Sequence, residues 1–452
     1  MTLDPAVFKA YDVRGLYPGE VDEDGAERIG RAFIAVTGSQ RVALGHDARV
    51  SSPSMATAFR DGVLAAGADV VDLGEIATEM LYFAVGSGNA SGVDAGAVVT
   101  ASHNPPQYTG VKLVVEGALP LSGDTGIGEV GRIAEADSAP RAAAPGRLSS
   151  DPTILERFVD ACMAFIDPAA VRGLRVVLDA TNGMAGLYLP SVLERLDIEP
   201  IPYFLELDGR FPNHGPNPLL EENRRFITSK VLEHGADLGI AWDGDADRCF
   251  FIDGNGEFVP GDFLTALLAR HLLEKSGPAP VIYDLRASWC VRDTILAAGG
   301  TPDEYRVGHA FIKRRMREID AIFAGEVSGH YYFKEFSYAD TGLVPALLVL
   351  ELLSRAGRPL AELVGGYRER YHISGEINST VPDAAGRMEA LAERFADGRQ
   401  GRLDGLSVAY DDWHFNVRPS NTEPLLRLNL ESLESEADME RRRDEVLAII
   451  RE

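Results

Sequence analysis

The clearest fold signal in this chain is the stretch Leu-Gly-Ile-Ala-Trp-Asp-Gly-Asp-Ala-Asp-Arg at residues 238–248. It begins with an apolar run, and a short apolar run bounded by turn residues is typical of a buried strand. The remainder is a polar loop that contains glycine. In α/β proteins, ligands gather at the carboxyl ends of strands, so the stretch predicts an α/β unit with a site in its loop.

The same pattern occurs three times along the chain. Each copy opens with an apolar run that ends in an aspartate, and these aspartates are Asp47, Asp179 and Asp284. A helix-like stretch follows, and a second apolar run then leads into a polar loop, at residues 100–105, 242–248 and 325–330. Any α/β protein contains strand–loop–helix segments, so three unrelated matches are the alternative. As a true repeat, the copies predict related α/β units whose loops converge on one cleft.

The length of 452 residues is too great for one ordinary core and suggests about three or four domains. An Ala/Pro-rich stretch at residues 139–150 is a candidate linker, and further breaks fall near residues 254–256 and 365–371. After the last break, a helix, a hairpin-like region and a final helix indicate a smaller α+β domain. We therefore expect four domains, at residues 1–148, 149–255, 256–368 and 369–452.

Composition excludes several classes of partner. The formal net charge of −25 argues against a nucleic-acid or anionic-membrane surface. No apolar run approaches the roughly 20 residues needed to span a bilayer, and the first residues do not resemble a signal peptide. The three cysteines form no CxxC pair and fit buried thiols in a reducing compartment. We therefore expect a cytoplasmic protein.

Asp243, Asp245 and Asp247 occupy alternate positions in the second loop. In an extended loop, this spacing puts all three side chains on one side. Three neighbouring carboxylates repel one another unless a hard cation lies among them, and Mg²⁺ prefers oxygen ligands. An EF-hand does not fit, because Arg248 stands where its glycine is needed, and a solvated acidic turn is the remaining alternative. The pattern favours a metal site.

Two further loops carry chemistry. Ser102-His103-Asn104-Pro105 follows a predicted strand, and its serine is either a nucleophile or part of an ordinary polar turn. Near the carboxyl end, residues 418–424 offer a guanidinium, two hydroxyls, an amide and a turn, which is typical of phosphate binding. An acidic protein repels phosphates, so a phosphate site must concentrate cations locally. The candidates for this role are Arg14, Lys112, Arg248, Arg286 and Arg418.

Together these stretches resemble the α-D-phosphohexomutase family, specifically its bacterial phosphomannomutase/phosphoglucomutase branch. Matching segments run from Lys-Ala-Tyr-Asp-Val-Arg-Gly at residues 9–15 to residues 418–428, nearly the whole chain. The pair formed by Thr-Ala-Ser-His-Asn-Pro-Pro-Gln-Tyr-Thr-Gly-Val-Lys at 100–112 and Asp-Gly-Asp-Ala-Asp-Arg at 243–248 is highly specific. The resemblance implies four domains around a central cleft, three of them related mixed α/β layers and the last α+β.

The resemblance also implies roles for individual residues. Ser102 would carry the phosphoryl group, and one of its oxygens would bind Mg²⁺ together with Asp243, Asp245 and Asp247. Glu326 and Ser328 would contact sugar hydroxyls. The distal phosphate would be bound by Arg418, Ser420, Asn421 and Thr422, with Arg427 nearby. The cleft would be lined by Tyr11, Arg14, Lys112, Arg248, Arg286, His309 and His330.

The reaction implied is a phosphoryl transfer from phosphoserine that gives a hexose 1,6-bisphosphate, which then returns its other phosphoryl group to Ser102. A hexose 1,6-bisphosphate is therefore the expected activator. Lys112 or His330 is the candidate general base, with His103 in support. Many relatives have Lys at the position of Arg286, and the two side chains are not equivalent.

The expected substrates are small hexose phosphates. Val327 lies between Glu326 and Ser328, as in the mannose/glucose branch. Because mannose and glucose differ at carbon 2, contacts to the 3- and 4-hydroxyls predict activity on both. The alternatives are mainly phosphoglucomutase activity, a Mg²⁺-dependent phosphatase, or a non-catalytic sugar-phosphate-binding protein. We expect a monomer or a weak homodimer.

Overall fold

The computed structural model describes residues 3–123, 125–419 and 425–452. The chain forms two compact units. The first comprises residues 1–259, 313–322 and 328–360, and the second comprises residues 260–312, 323–327 and 361–452. Among the described residues, none of the helices combines the length and the apolar character that crossing a membrane requires. All three cysteines are free and buried, as the sequence predicts.

The first sheet belongs to the first unit. Its strands are β1 (Val13–Leu16), β2 (Arg41–His46), β3 (Asp69–Glu75), β4 (Ala95–Val99), β5 (Tyr108–Val115), β6 (Leu119–Pro120) and β7 (Leu148–Ser150). The helices are α1 (Glu23–Thr37), α2 (Ser52–Ala65), α3 (Thr78–Val85) and α4 (Ile127–Glu135). The strand order is β1-β5-β4-β2-β3-β7, with β6 beside β5. The expected linker at 139–150 thus ends in β7, a strand parallel to β3, because backbone pairing outweighs its turn-like composition.

The second sheet also lies in the first unit. Its elements are α5 (Ile154–Met163), β8 (Arg172–Asp179), α6 (Ala185–Leu193), β9 (Asp197–Tyr203), α7 (Glu221–His234), β10 (Leu238–Trp242), β11 (Cys249–Asp253) and β12 (Phe258–Val259). The strand order is β12-β11-β10-β8-β9. The expected break near residues 254–256 is the turn between β11 and β12, which pair with each other.

The next segment contributes to both units. Its elements are α8 (Gly261–Ser276), β13 (Pro280–Asp284), α9 (Trp289–Ala297), β14 (Thr301–Tyr305), α10 (His309–Ile319), β15 (Phe323–Gly325), β16 (Tyr331–Phe333), β17 (Ala339–Asp340), α11 (Leu343–Ala356) and α12 (Leu360–Arg370). In the second unit, β13 pairs in parallel with β14 and β15. In the first unit, β16 pairs antiparallel with β17, and α11 packs against α5 and β8. The break expected near 365–371 falls inside and just after α12.

The last segment is the α+β part of the second unit. Its elements are β18 (His372–Ile373), β19 (Ile377–Thr380), α13 (Ala384–Arg394), β20 (Arg399–Gly401), β21 (Leu406–Ala409), β22 (Trp413–Pro419), β23 (Leu425–Ser432) and α14 (Glu436–Arg451). The antiparallel sheet has the order β18-β23-β22-β21-β20, with β19 beside β23. Its core is formed by buried apolar residues of the sheet and of both helices, including Leu391, Phe415, Leu428 and Val446.

The repeat predicted from the sequence is present in the sheets. Three parallel strands recur in the same order, as β4-β2-β3, β10-β8-β9 and β15-β13-β14. The carboxylate of each opening aspartate also accepts a hydrogen bond from the backbone N–H two residues later. Asp47 accepts from the N–H of Arg49 at 3.0 Å, Asp179 from that of Thr181 at 2.9 Å, and Asp284 from that of Arg286 at 2.9 Å. The equivalent turns place the loops at the carboxyl ends of the parallel strands.

Candidate active site

Ser102 lies in the loop that joins β4 to β5. Its hydroxyl donates to Oδ2 of Asp243 at 3.3 Å and lies 3.1 Å from Nδ1 of His103. Its backbone N–H donates to the hydroxyl of Thr100 at 2.9 Å. The φ of Ser102 is +51°, a left-handed conformation that side chains other than glycine adopt at a cost in free energy. These contacts hold Ser102 against the loop at residues 243–248, the predicted metal site, which we call the metal loop.

Arg49 binds the backbone of the loop that carries Ser102. Its buried guanidinium is anchored by Nε on Oδ2 of Asp47 at 3.1 Å. Nη2 donates to the carbonyl oxygens of Ser102 at 2.8 Å and Asn104 at 2.6 Å, and Nη1 donates to those of Pro105 at 2.8 Å and Tyr108 at 3.2 Å. We did not predict this role of Arg49 from the sequence. The signal was available, because Asp47 and Arg49 have the same spacing as Asp284 and Arg286 in the third copy.

The three aspartates of the metal loop converge, and all three are buried. One carboxylate oxygen from each of Asp243, Asp245 and Asp247 lies within 4.8 Å of the others. The reason given from the sequence was wrong, because the loop is a turn rather than an extended segment. The N–H of Ala246 donates to the carbonyl of Asp243 at 3.1 Å, and Ala246 has a φ of +65°. The turn, not period-two alternation, brings the carboxylates together.

The donor set of this loop fits a hard divalent cation. Oδ1 of Asp245 and Oδ1 of Asp247 are buried and accept no hydrogen bond within the described parts of the chain. Burial raises the pKa of Asp243 to about 8, with the charges of Asp245 and Asp247 adding to the rise and that of Arg248 opposing it. A cation bound among the three oxygens would relieve this repulsion, and carboxylate oxygens are the ligands Mg²⁺ prefers.

Cationic side chains surround the same loops. Lys112, on β5, donates to Asp245 at 2.7 Å and to Asp247 at 2.6 Å. Arg248 donates from Nε to Oδ2 of Asp243 at 2.9 Å. Arg14, on β1, is paired with Asp12, and its Nη1 donates to Oδ1 of Asn104 at 2.9 Å. Tyr11 precedes β1 and interacts electrostatically with Arg14. These cations supply the local positive charge that the acidic chain as a whole lacks.

His330 lies on the other side of the metal loop, within the first unit. Its Nδ1 is 3.0 Å from the hydroxyl of Ser328, and its Nε2 is 3.6 Å from Oδ1 of Asp247. Asp247, His330 and Asp340 could together hold a metal, but Nζ of Lys313 already lies 2.5 Å from Asp340. Burial, together with the charge of Arg248, lowers the pKa of His330 and that of His103 well below the usual value. Both imidazoles are therefore neutral in this arrangement.

The second unit holds the remaining polar groups of the third loop. Arg286 binds Asp284 through Nε at 2.9 Å and Nη2 at 2.8 Å, and its Nη2 is 4.0 Å from Oε1 of Glu326. The backbone N–H of Gly308, next to His309 at the start of α10, donates to Oε1 of Glu326 at 3.0 Å. Asp284 also accepts from the N–H of Val327 at 2.8 Å. Asp284 therefore ties Arg286 to the loop that carries Glu326.

Arg418 and Arg427 lie directly opposite each other on the paired strands β22 and β23. Both contact the carboxylate of Glu376, with Nη2 of Arg418 at 3.4 Å and Nη1 of Arg427 at 2.9 Å. The other residues expected to bind phosphate here lie outside the described residues; they are Ser420, Asn421 and Thr422. We did not predict Glu376 from the sequence, because its arginine partners are brought together by the register between β22 and β23.

The structure thus forms two groups of candidate site residues. The first unit brings together Ser102, His103, Lys112, Arg14, Arg248, His330 and the three aspartates of the metal loop. Thr78, which we did not predict, joins them by donating to Asp245 at 2.6 Å. The second unit brings Arg286 together with Glu326, Arg418 and Arg427 through direct contacts or through Glu376. The first group is suited to phosphoryl transfer, and the second to binding polar and anionic groups.

Four family models match the chain in order. They are the phosphoglucomutase/phosphomannomutase α/β/α domains I, II and III, at residues 5–140, 156–256 and 260–371, and the C-terminal domain at residues 376–449. The four-domain α/β architecture expected from the sequence is therefore confirmed.

Several known proteins are similar to the chain over its whole length. A protein of Xanthomonas campestris named "Phosphohexose mutases" is 43% identical and covers 100% of both chains. A phosphomannomutase of Salmonella montevideo is 44% identical over 98% of both. The crystal structure of a phosphoglucomutase/phosphomannomutase family protein from Burkholderia thailandensis has a TM-score of 0.90 and 33% identity, over 99% of this chain and 97% of that one. The chain therefore belongs to the phosphoglucomutase/phosphomannomutase family and is an isomerase of the phosphohexomutase type.

Proposed function

We propose that this enzyme interconverts mannose 1-phosphate and mannose 6-phosphate and also acts on the corresponding glucose phosphates. The observation that carries the proposal is the position of Ser102, whose hydroxyl lies 3.3 Å from Asp243 in a buried, cation-rich site. Similar proteins from Salmonella montevideo and Escherichia coli, 44% and 42% identical, are named phosphomannomutases. Val327 between Glu326 and Ser328 also supports the mannose/glucose branch.

In the proposed reaction, phosphorylated Ser102 gives its phosphoryl group to the free hydroxyl of a hexose phosphate. One serine P–O bond breaks, one sugar P–O bond forms, and the product is a hexose 1,6-bisphosphate. The bisphosphate then returns its other phosphoryl group to Ser102, so the enzyme ends phosphorylated and the sugar phosphate is isomerised. A hexose 1,6-bisphosphate added from solution would phosphorylate Ser102 and act as activator.

The charges of the first group suit this transfer, which depends mainly on positioning and electrostatic stabilisation. Asp243, Asp245, Asp247 and an oxygen of phosphorylated Ser102 would hold Mg²⁺, which would supply positive charge to the transferred group. Arg14 and Arg248 would stabilise the same charge. We favour His330 as the base that takes the proton of the sugar hydroxyl, because two carboxylates already hold the ammonium of Lys112. His103 would support Ser102.

Other predicted site residues would bind the parts of the substrate that do not react. Glu326, together with Ser328, would contact sugar hydroxyls, while Tyr11, Arg286 and His309 would contact the sugar phosphate. The distal phosphate would be bound by Arg418, Ser420, Asn421, Thr422 and Arg427. We also propose that the four domains span residues 1–148, 149–255, 256–368 and 369–452. The protein would be cytoplasmic, and it would be a monomer or a weak homodimer.

The direct test is a paired assay of mannose 1-phosphate and glucose 1-phosphate with Mg²⁺ and a catalytic amount of glucose 1,6-bisphosphate. Each 6-phosphate and free phosphate are measured. We expect comparable kcat/KM values for both sugars and dependence on the bisphosphate. A strong preference for glucose would make phosphoglucomutase the main activity. Free phosphate as the chief product, without activator dependence, would instead indicate a phosphatase and contradict the proposal.

A further inference from the structure

Glu376 lies at the centre of an arginine cluster in the second unit. Its carboxylate accepts from Nη1 of Arg427 at 2.9 Å, from Nη1 of Arg286 at 3.3 Å and from Nη2 of Arg418 at 3.4 Å. The side chain of Glu376 is only 19% exposed, and those of Arg286 and Arg418 are 5% and 11% exposed. We call these four residues the arginine cluster. The carboxylate of Glu376 thus contacts the guanidinium groups of Arg418 and Arg427, which are proposed to bind the distal phosphate.

The carboxylate of Glu376 is charged in this setting. Burial pushes its pKa upward, but the charges of Arg286, Arg427 and Arg418 outweigh burial and lower the pKa below its usual value. Guanidinium groups bind a carboxylate and a phosphate by the same forked hydrogen bonds. An anionic Glu376 and a substrate phosphate therefore require the same donors.

We propose that Glu376 is an affinity-determining residue of the phosphate site, an internal anion that a substrate phosphate displaces from Arg418 and Arg427. This inference rests on the proposed binding of the distal phosphate by those two arginines. The displaced carboxylate keeps a partner, because Arg286 contacts Glu376 through Nη1 while its Nε and Nη2 remain on Asp284.

The contacts between Glu376 and the arginines would affect how fast the enzyme releases a bound phosphate. A mutase that passes through a bisphosphate must release one phosphate from its binding site and accept the other. A phosphate site made of uncompensated arginines would bind a dianion tightly and release it slowly. Glu376 returns to the arginines when the phosphate leaves, so it lowers the affinity of both the substrate and the intermediate.

The test compares binding of mannose 1-phosphate, by calorimetry with Mg²⁺, to the full-length Ser102→Ala protein with and without Glu376→Gln. The amide keeps the shape of the side chain and removes its charge. We expect Glu376→Gln to tighten Kd about tenfold, a change of about 1.4 kcal/mol in binding free energy. The matched control is Glu389→Gln on α13, an exposed acid paired with Arg402, which leaves Kd unchanged. In the enzyme that keeps Ser102, Glu376→Gln should lower KM. It should also lower kcat, because the sugar phosphate is released more slowly.

A structural role for Glu376 gives the opposite result. If its carboxylate only organises the arginines, Glu376→Gln in a folded protein weakens binding or leaves it unchanged, and the inference is overturned. If Glu376→Gln does not fold, Glu376→Asp, whose shorter side chain withdraws the carboxylate, should tighten Kd less but in the same direction. A loss of affinity in Glu376→Asp overturns the inference as well. Arg418→Met tests the underlying proposal: an unchanged Kd there would show that the distal phosphate binds elsewhere, whatever Glu376 does.

Discussion

A hydrogen bond of 2.8 Å joins Nη2 of Arg49 to the backbone carbonyl oxygen of Ser102. It is one of four bonds from the same guanidinium to carbonyl oxygens, three in the Ser102 loop and one at Tyr108, the first residue of β5. Arg49 is itself fixed by Asp47, the aspartate that opens the first repeat. The position of Ser102, the proposed nucleophile, therefore depends on a residue 53 positions away in the sequence.

Replacing Arg49 with lysine should lower kcat strongly. Lysine keeps the charge, but a single ammonium cannot reach four carbonyl oxygens, so the left-handed conformation of Ser102 loses its support. A displacement of about 1 Å at a reacting group costs about 100-fold in rate, and we expect a loss of that order in kcat/KM. The control is Arg60→Lys on α2, where a partly exposed arginine is paired with the neighbouring Asp61. Unchanged kinetics in a folded Arg49→Lys enzyme would mean that the loop keeps its shape without the guanidinium.

Ser102→Ala should abolish mutase turnover and leave sugar-phosphate binding intact. The hydroxyl is the proposed acceptor and donor of the phosphoryl group, whereas the contacts proposed for the sugar phosphate come from other residues. Turnover is followed with mannose 1-phosphate and glucose 1,6-bisphosphate, and binding is followed by calorimetry. Substantial residual mutase activity in this variant would rule out a phosphoserine at this position.

Loss of one metal-loop carboxylate should weaken the binding of Mg²⁺. For Asp247→Asn we expect the Mg²⁺ concentration for half-maximal activity to rise at least about tenfold, because one of three charged oxygen ligands is lost. A second readout is thermal unfolding. A ligand at 100 times its Kd stabilises the folded state by about 2.7 kcal/mol, so at that Mg²⁺ concentration the midpoint of the wild type should rise more than that of the variant, which binds the ion more weakly.

The control for the metal loop is Asp197→Asn, at the exposed start of β9. It removes the same charge from the same part of the chain without touching the loop. A midpoint that responds to Mg²⁺ equally in the wild type and in Asp247→Asn would place the ion elsewhere.

Glu79 should make the stability of the protein depend on pH. Its side chain is buried in the first unit, and burial raises its pKa to about 8 against a usual value of 4.5, even though it accepts a hydrogen bond from Thr341. The folded state therefore holds a proton that the unfolded state has lost. The contribution is fully favourable below pH 4.5 and is lost as pH rises toward 8, by up to about 5 kcal/mol.

Glu79→Gln removes this titration and keeps the shape of the protonated side chain. Relative to wild type, we expect the variant to have a similar thermal midpoint near pH 5 and a higher one near pH 8. The measurement is the midpoint as a function of pH in Mg²⁺-containing buffer, with the exposed Glu129→Gln on α4 as control. A constant difference between the Glu79 variant and wild type across this range would show that Glu79 does not titrate as expected.

The sequence predicted the site best where residues with polar or charged side chains directly follow a strand. Ser102 and Asp243 follow apolar runs that became β4 and β10, so their loops could be assigned to the carboxyl ends of parallel strands. The convergence of the three aspartates was also predicted, although from an extended loop that is a turn in the structure. Local residue patterns indicate which residues follow a strand, but they do not indicate the backbone conformation of the loop in which those residues lie.

The contacts of Arg49 and Glu376 could not be predicted in this way. Arg418 and Arg427 face each other because of the register between β22 and β23, and Glu376 reaches Arg427 across 51 positions of sequence. Pairing register and side-chain direction depend on the packed sheet, which a single sequence does not reveal. The repeat was the one available clue, since it aligns Arg49 with Arg286.

Arg286→Lys should raise KM for both hexose phosphates and leave the protein folded. The guanidinium holds Asp284 with two hydrogen bonds and reaches Glu376 with a third nitrogen. An ammonium is one point of charge, so it can compensate Asp284 but cannot keep this forked geometry. Asp284 also accepts from the N–H of Val327, and a change in its position therefore moves the loop that carries Glu326.

We expect KM to rise about fivefold for Arg286→Lys, since a charged hydrogen bond contributes about 1.5 kcal/mol or somewhat more and part of it survives. Arg286→Met should be far more damaging, because it leaves the buried Asp284 without a counter-charge. Arg292→Lys on α9, which removes a partly exposed guanidinium paired with Asp293, is the matched control. If Arg286→Lys matches wild type in KM for mannose 1-phosphate and for glucose 1-phosphate, one charge at this position is sufficient. The forked contacts of Arg286 with Asp284 and Glu376 would then have no part in substrate binding.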